Sequence, residues 1–520
     1  MKFFFNLLMT FFLDKNEKKF YFFISKKFKK YKHDSKKVIL VENINNKIHH
    51  IPYIYLIHNL VKKHKSKVEL YNPNQVFSYK RTLFYFLLKV KKPIFYKIIS
   101  NLFLANIVTN YSNISAEEEK EKLFIKIKNK KNFFNLKLFG IHFGDVLYDQ
   151  YLKKFRVPTI DIKSKHFKNF FAKSIENIIF WNDYFKKNQV KSVITTHATY
   201  WNAITARIAM HKNIPVYTID INHGFYLTKK HYNPYKTFLH HKRDFAKYSN
   251  QEKKRFREEA DKRLKLRMSG KTGVDMRYSA KSSWNKSNSK KNILTKTKKI
   301  KILISAHCFF DSPNGMGGTL FPDFYEWIKF LGKMSHCTDY AWYIKTHPDF
   351  LPGNIEVIID LKKYFKNLKI LPSNTSHQSI IYSGIDYIFT VHGTVGIEYA
   401  YNNKPVVNAS INNPNINYNY NINPKNIKEY QKIIENLKDI RIKINKNEVL
   451  ENYHMILKNK IELKSIYFDN YNEFNQKFEK KLSNLKSDFY EFWMKNLSEN
   501  RHKLISEKIN NFINSKNYSL

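Results

Sequence analysis

Cysteine is nearly missing from this chain: 520 residues contain only Cys308 and Cys337. A disulfide framework and a cysteine-based zinc site are therefore poor candidates, and a reducing, cytoplasmic setting fits. Long apolar runs are also missing. The N-terminal MKFFFNLLMTFFLDK has the length of a signal peptide, but Lys2 is a thin basic region and no small-residue cleavage site follows. It reads as a buried or membrane-resting segment. The stretches 81–90 and 94–109 fall short of the roughly 20 apolar residues a bilayer span requires, so no transmembrane helix is predicted.

Several nucleotide and metal signatures are absent as well. There is no GxGxxG fingerprint and no GxxxxGK[ST], which removes the main warrant for a dehydrogenase or a P-loop nucleotidase. Without HExxH, a DxD pair or a tight His/Asp triad, the expectation is a protein that works without metal or cofactor. Acidic residues are scarce, 43 against 92 Lys and Arg, for a net charge of +49. Such a balance favours polyanion binding. Lysine is nevertheless spread over the whole length, in company with heavy use of Asn, Ile, Phe and Tyr, which is the mark of a composition bias. A nucleic-acid-binding protein is the weakest of the readings; attraction to anionic lipid or to nucleotide-linked substrates fits the charge equally.

What is present is a folding composition, 43% apolar and 16% aromatic, in a chain too long for one ordinary domain. Residues 1–125 read as helices and short strands in a mainly helical extension, and 126–250 as a first Rossmann-like, acceptor-side domain. A helix and flexible linker follow over 251–297, then a second Rossmann-like domain over 298–430 and a C-terminal helical segment over 431–520. The clearest unit is VKSVITTHATYWNAITARIAMHKNIPVYTIDINHG (190–224), which alternates strand, helix and strand in the parallel α/β manner. LKLFGIHFGDVLYDQYL (136–152) predicts a strand, a tight turn through Gly144 and a helix. The second half repeats the alternation through KKIKILISAHCF, DYAWYIKTHPD and DYIFTVHGTVGIEYAYNNKPVVNAS. The fold class is thus α/β with two Rossmann-type domains facing a cleft, where substrates usually bind.

Polar residues gather where strands are expected to end. KTHP places Lys345, His347 and Pro348 after one strand, and VHGTVGIE places His392, Gly393, Thr394, Gly396 and Glu398 at a strand-to-helix junction. A helix N-terminus behind a small-residue loop offers N–H groups to a phosphate. Lys345 adds a positive charge, and Glu398 could accept from a ribose or sugar hydroxyl. An HP pair or a GTxG loop alone is as often a plain turn. In AHCFFDSPNGMGGTLF (306–321), His307 and Asp311 precede a loop through Gly315, Gly317 and Gly318 that either folds over a donor diphosphate or lies free on the surface. In the first half His142, Asp145, Asp149, His197 and His223 are candidates to position or deprotonate an acceptor hydroxyl. Asp residues of this kind are often only helix caps. Arg207 could reach a carboxylate or phosphate, or form a surface ion pair.

The segments GIHFGDVLYDQYLKK, THATYWNAITARIAMHKNIPVY, AHCFFDSPN, YIKTHPD and FTVHGTVGIEYAYNNKPVV resemble bacterial capsular polysaccharide and surface carbohydrate biosynthesis proteins. That group includes the capsule enzymes transferring Kdo and is similar in fold to two-domain GT-B transferases. The resemblance covers roughly 136–250 and 298–410. It implies a glycosyltransferase that takes a nucleotide-activated sugar, CMP-Kdo or another, to a surface polysaccharide or its lipid-linked precursor. The implied setting is the cytoplasm, at the inner membrane face beside other surface-glycan assembly enzymes. By the same resemblance His347 and Pro348 contact the nucleotide phosphate, His392, Gly393 and Thr394 supply a second phosphate-binding loop, and Glu398 meets the ribose or base. The acidic-acidic-glycine motif that holds the base in bacterial sialyltransferases of this architecture is absent. Its nearest counterpart is Gly144–Asp145, and the base stays open between Asp145, His142, His197 and His223. A phosphotransferase of the polymer-glycerol-phosphate kind is the alternative within the same architecture.

Overall fold

The computed structural model describes residues 13–31, 33, 35–73, 93–108, 117–272, 274–275, 281–284, 292–347, 352–478 and 485–520. Most of the apolar N-terminal run, the stretch 81–90 and Pro348 lie outside them. Two parallel sheets organise the chain. The first takes β1 (Lys37–Glu42), β2 (Lys67–Tyr71), β3 (Asn106–Ile107), β6 (Gln189–Thr195), β7 (Val216–Ile219) and β8 (Gly224–Leu227) in the order β3-β2-β1-β6-β7-β8. Only β8 runs antiparallel. The second takes β9 (Lys301–Ser305), β10 (Ala341–Lys345), β11 (Leu368–Leu371), β12 (Tyr387–Thr390) and β13 (Val406–Asn408), all parallel, in the order β11-β10-β9-β12-β13.

Strand chemistry follows burial. A parallel strand covered on both faces must be apolar at nearly every position, as in KVILVE and KILIS. In β1, Ile39 and Val41 enter one core layer while Val38 and Leu40 enter the layer on the opposite face, the period-2 alternation of a pleated strand. In each sheet the chain first winds outward from a central strand on one side, then returns to continue on the other. The reversal falls between β1 and β6 in the first sheet and between β9 and β12 in the second. The crevice at the carboxyl ends of such a strand pair is where open α/β sheets bind ligands.

Helices complete the layers. On the first domain lie α1 (Lys15–Lys27), α2 (His50–His64), α3 (Pro93–Phe103), α4 (Gly144–Phe155) and α5 (Asn202–His211). A long helix, α6 (Asn250–Met268), leads to the second domain, which carries α7 (Phe324–Cys337) and α8 (Val395–Tyr401). The C-terminal part comprises α9 (Lys446–Tyr467), α10 (Asp488–Lys495) and α11 (Glu499–Ser515). No helix among the described residues is long and apolar enough to cross a membrane.

Two parts of the chain differ from the sequence reading. Residues 37–107, expected as short strands in a mainly helical extension apart from the first domain, supply β1, β2 and β3, half of its sheet. The Lys and Asn residues that flank these strands hide their place in that sheet. Of the C-terminal helices, α9 packs on α6 and on α8 of the second domain, whereas α10, α11 and the chain end return to the first: Phe20 of α1 stacks on Tyr490 of α10 at 4.1 Å, and the Leu520 N–H donates to Gly224 O. The helix expected at the start of 251–297 is α6, which packs along α9 and pairs Arg257 with Glu451 at 2.5 Å.

The segment 136–142 also differs. Its turn falls at Phe139 and Gly140, both with positive φ, and closes a two-residue hairpin between β4 (Lys137–Leu138) and β5 (Ile141–His142). Gly144 instead opens α4 against the Phe133 and Phe134 carbonyls, where an added Cβ would lie 2.1–2.2 Å from their oxygens.

Candidate active site

At the reversal point of the second sheet, the loop after β9 carries His307 and the loop after β12 carries His392, with ring centres 4.8 Å apart. His307 also stacks on Phe324 at 4.7 Å, which fixes its plane. Its Nε2 accepts the Val391 N–H (3.2 Å) and faces Thr390 Oγ1 (3.0 Å), so the ring is neutral with its proton on Nδ1. Burial, then the neighbouring His392 and His347, hold it well below the ordinary imidazole value. Burial likewise pulls His392 down to about 4, partly opposed by Asp311. Gly393 stands where a Cβ would come within 2.9 Å of Thr390 Oγ1 and 3.4 Å of the His307 ring.

Beside this pair, Lys345 ends β10 with 2% of its surface exposed. Its Nζ reaches the Thr346 carbonyl at 3.4 Å, and no described carboxylate lies within ion-pair distance. Burial lowers its ammonium to about 8, with the charge of Glu398 opposing. Two polar atoms near these strand ends are buried without a hydrogen-bond partner, Thr346 Oγ1 and His392 Nδ1. Such orphans are few in folded proteins, and each calls for an explanation. His347 is exposed at the β10 end and acts electrostatically on both His307 and His377.

Several expected contacts are committed elsewhere. Glu398 accepts from Arg267 Nε and from Trp284 Nε1, both at 2.7 Å, and Arg267 also reaches Thr394 Oγ1 at 3.3 Å. The buried carboxylate is thus tied to α6 and the segment after it. Two N–H groups in the first turn of α8 are also in use, those of Gly396 and Ile397 donating to Gly393 O and Thr394 O. Gly396 serves packing, its Cβ position lying 2.4 Å from Asn415 Nδ2. The glycine-rich loop is not free on the surface. Asn314 gives its N–H and amide to buried Asp149, Gly315 O accepts from Asn233 at 2.7 Å, and Asp311 accepts from Tyr200 OH at 2.6 Å. These bonds join the second domain to the first, as do those of Tyr148 and Thr159 to Asp323 at 2.6 and 2.7 Å. Burial holds the Asp149 carboxyl well above its usual range.

On the facing side, the first sheet presents a second cluster. Glu42, at the end of β1, accepts from Thr195 Oγ1, Thr196 N and Asn202 Nδ2 at 2.7–2.8 Å. Asp220, after β7, accepts the N–H groups of Asn222 and His223 and lies 3.3 Å from His223 Nδ1. His49 donates Nδ1–H to Ile219 O at 2.8 Å, close enough to Asp220, His223 and Glu42 to feel their charges. Burial leads the lowering of its pKa. His197 is exposed, bonded to Thr199 Oγ1 at 3.1 Å and edge-on to Tyr200.

His142 and Asp145 stand apart from this cluster. Arg207 grips Asp145 with two nitrogens at 2.6 and 2.7 Å. Burial pushes the Asp145 carboxyl up, but the Arg207 charge and hydrogen bonds outweigh it and leave it below the ordinary carboxylate range. A carboxylate so held is a weak base. His142 donates Nε2–H to Phe134 O at 2.7 Å and turns Nδ1 toward Asp145. Both residues fasten α4 to α5. Sequence reasoning missed Glu42, His49, Asp220, Arg267, Trp284 and His377. The phrase TIDINHG, which ends a strand in Asp and His, was the available signal for Asp220.

Among the described residues no group of three His, Cys, Asp or Glu side chains is placed to hold a metal ion. No protein-family model matches the chain, and no curated protein matches it. Solved structures with a similar course of chain include the UDP-GlcNAc 2-epimerase of Methanocaldococcus jannaschii in complex with UDP-GlcNAc and UDP, 12% identical with a TM-score of 0.24, over 81% of this chain and 99% of that one. A glycosyltransferase from Rickettsia africae is 11% identical with a TM-score of 0.26, over 88% and 100%. The UDP-GlcNAc 2-epimerase from Neisseria meningitidis bound to UDP-GlcNAc is 12% identical with a TM-score of 0.21, over 82% and 99%. At such scores no position pairs with another in a way that transfers a role. The two sheets themselves, with the strand ends of one domain bonded to those of the other, define a GT-B-like α/β architecture of two Rossmann-type domains.

Proposed function

We propose that this chain is a glycosyltransferase that moves a sugar from a nucleotide-activated donor to a surface polysaccharide or its lipid-linked precursor. The observation that carries the reading is the surplus of donors at the carboxyl ends of the second sheet. Thr346 Oγ1 and His392 Nδ1 are buried without a partner, and Lys345 is buried with no carboxylate of the described residues in ion-pair distance. A ligand phosphate supplies the acceptor oxygens such a set needs. His347 extends the same site. The family resemblance of YIKTHPD and FTVHGTVGIEYAY supports the same role.

In the proposed reaction the donor phosphate rests on Lys345, Thr346, His347 and His392. The bond between the anomeric carbon and the phosphate oxygen breaks, and the nucleotide leaves as an anion stabilised by those preorganised donors. The acceptor hydroxyl approaches from the first domain and forms the glycosidic bond. Its proton passes to His223 Nε2, while Asp220 holds Nδ1–H and steadies the imidazolium. His223 therefore takes the base role in preference to Asp145, whose carboxylate is engaged by Arg207. Tyr200–Asp311 and Asp149–Asn314 hold the domains together and limit access of water to the donor.

The test is product analysis with the full chain, a panel of CMP-, UDP- and GDP-sugars and a lipid-linked acceptor. The expected result is release of nucleotide with gain of one sugar mass through a glycosidic bond, abolished in His223→Gln. A phosphodiester product overturns the glycosyl reading in favour of a phosphotransferase. Full rate in both His347→Ala and His223→Gln overturns the site.

A further inference from the structure

Helix α1 begins at the capping box of Asp14 and Glu17 and buries Phe20 and Ile24 on its inner side, with Phe28 as its cap, against α10, α3 and α2. This packing fixes which face turns outward. That face carries Lys15, Lys19, Phe22 and Lys26, at spacings of four, three and four residues, and it continues into exposed Lys29 and Lys30. Phe22 is 57% exposed at the centre of the stripe. Acidic groups nearby are engaged at its edges: Glu491 with Lys19 at 3.7 Å and Lys495 at 3.4 Å, and Glu499 with Lys27. The helix is joined directly to the run from Phe3 to Phe12, apolar except for Asn6 and Thr10.

A rigid helix that shows lysines around a bare aromatic ring matches an anionic bilayer surface, whose headgroups take the ammonium groups while the ring enters the acyl boundary. We infer that the outer face of α1 is the surface by which this protein docks on an anionic membrane. The inference stands independently of the transfer reaction.

Flotation of the full chain with vesicles of phosphatidylcholine, or of phosphatidylcholine mixed with phosphatidylglycerol, tests it. Binding is expected only to the mixed vesicles. Each stripe lysine contributes about five-fold at low salt, so Lys15→Gln/Lys26→Gln/Lys29→Gln together lower the partition coefficient roughly 100-fold. Phe22→Ser lowers it about 10-fold and removes the part that survives high salt. These positions are exposed, so the melting temperature is expected to stay unchanged. Because the whole chain is basic, the control is an equal charge change on α6, Lys254→Gln/Lys262→Gln/Lys265→Gln, which is expected to have little effect. Equal losses in the two triple variants, wild-type binding by the stripe variant, or no binding by the parent chain overturns the inference.

Discussion

His307 and His392 meet across the reversal point of the second sheet with ring centres 4.8 Å apart, and Gly393 lies close enough to His307 that a methyl group there would press on it. The pair is held by a backbone N–H, a threonine hydroxyl and a phenylalanine ring, all supplied by the second domain itself. The proposed phosphate-binding half of the site is therefore formed without the first domain. Gly393→Ala is expected to weaken nucleotide binding at least 10-fold by displacing His307 or Thr390, with the fold retained. Calorimetric titration with a melting curve as control checks it, and unchanged affinity would mean the loop yields without cost.

Lys345 gives the site a pH dependence. Burial lowers its pKa to about 8, and a bound anion raises it again. Nucleotide affinity is expected to hold below pH 8 and to fall about 10-fold per unit above it, with proton uptake on binding. Titration in two buffers of different ionisation heat measures that proton. Lys345→Arg, which stays charged, is expected to flatten the profile.

Buried histidines set the acid limit of the fold. His392, His241 and His58 are each lowered to about 4 by burial, against an ordinary 6.5. The unfolded chain then binds more protons than the folded one between those values, so stability rises with pH through the window and is lost as pH falls from 6.5 toward 4. Each group is expected to remove on the order of 1–2 kcal/mol by pH 5. Denaturant melts at pH 7 and pH 5 check this, with His241→Asn expected to reduce the difference.

Asp145 and Arg207 form a mostly buried pair, with 14% and 11% of their side chains exposed. Asp145→Ala leaves a guanidinium without its partner and is expected to cost about 3–5 kcal/mol of stability. Asp145→Ala/Arg207→Met is expected to recover much of it. The folded fraction of either variant should transfer sugar at near the parent rate. Loss of rate with stability intact would return Asp145 to the chemistry.

Legibility tracked sequence context. The buried parallel strands of the second sheet stand out in the sequence as apolar runs, and so do the polar residues at their ends, Lys345, His347 and His392. Strands β1, β2 and β3 were not assigned to the first sheet, although β1 is as apolar and buried as any strand of the second, because they are set among Lys and Asn that resemble helix surface. The engagement of Glu398 by Arg267 and Trp284 was also hidden, since the partners lie 131 and 114 residues away in sequence. Asp145 misled for the same reason: a carboxylate after a glycine reads as a base until its arginine, 62 residues on, is placed beside it. The pairing of Asp220 with His223 is local, and it is the one missed contact that spacing alone offered.

Nucleotide binding by three proteins, the parent chain, His392→Ala and His223→Gln, separates the two halves of the proposed site. The expected result is one nucleotide bound by the parent, binding lost in His392→Ala, and binding kept with transfer abolished in His223→Gln. Failure of the parent to bind any of CMP, CDP, UDP or GDP, or equal binding by His392→Ala and the parent, would contradict the placement of the donor phosphate at the strand ends of the second domain.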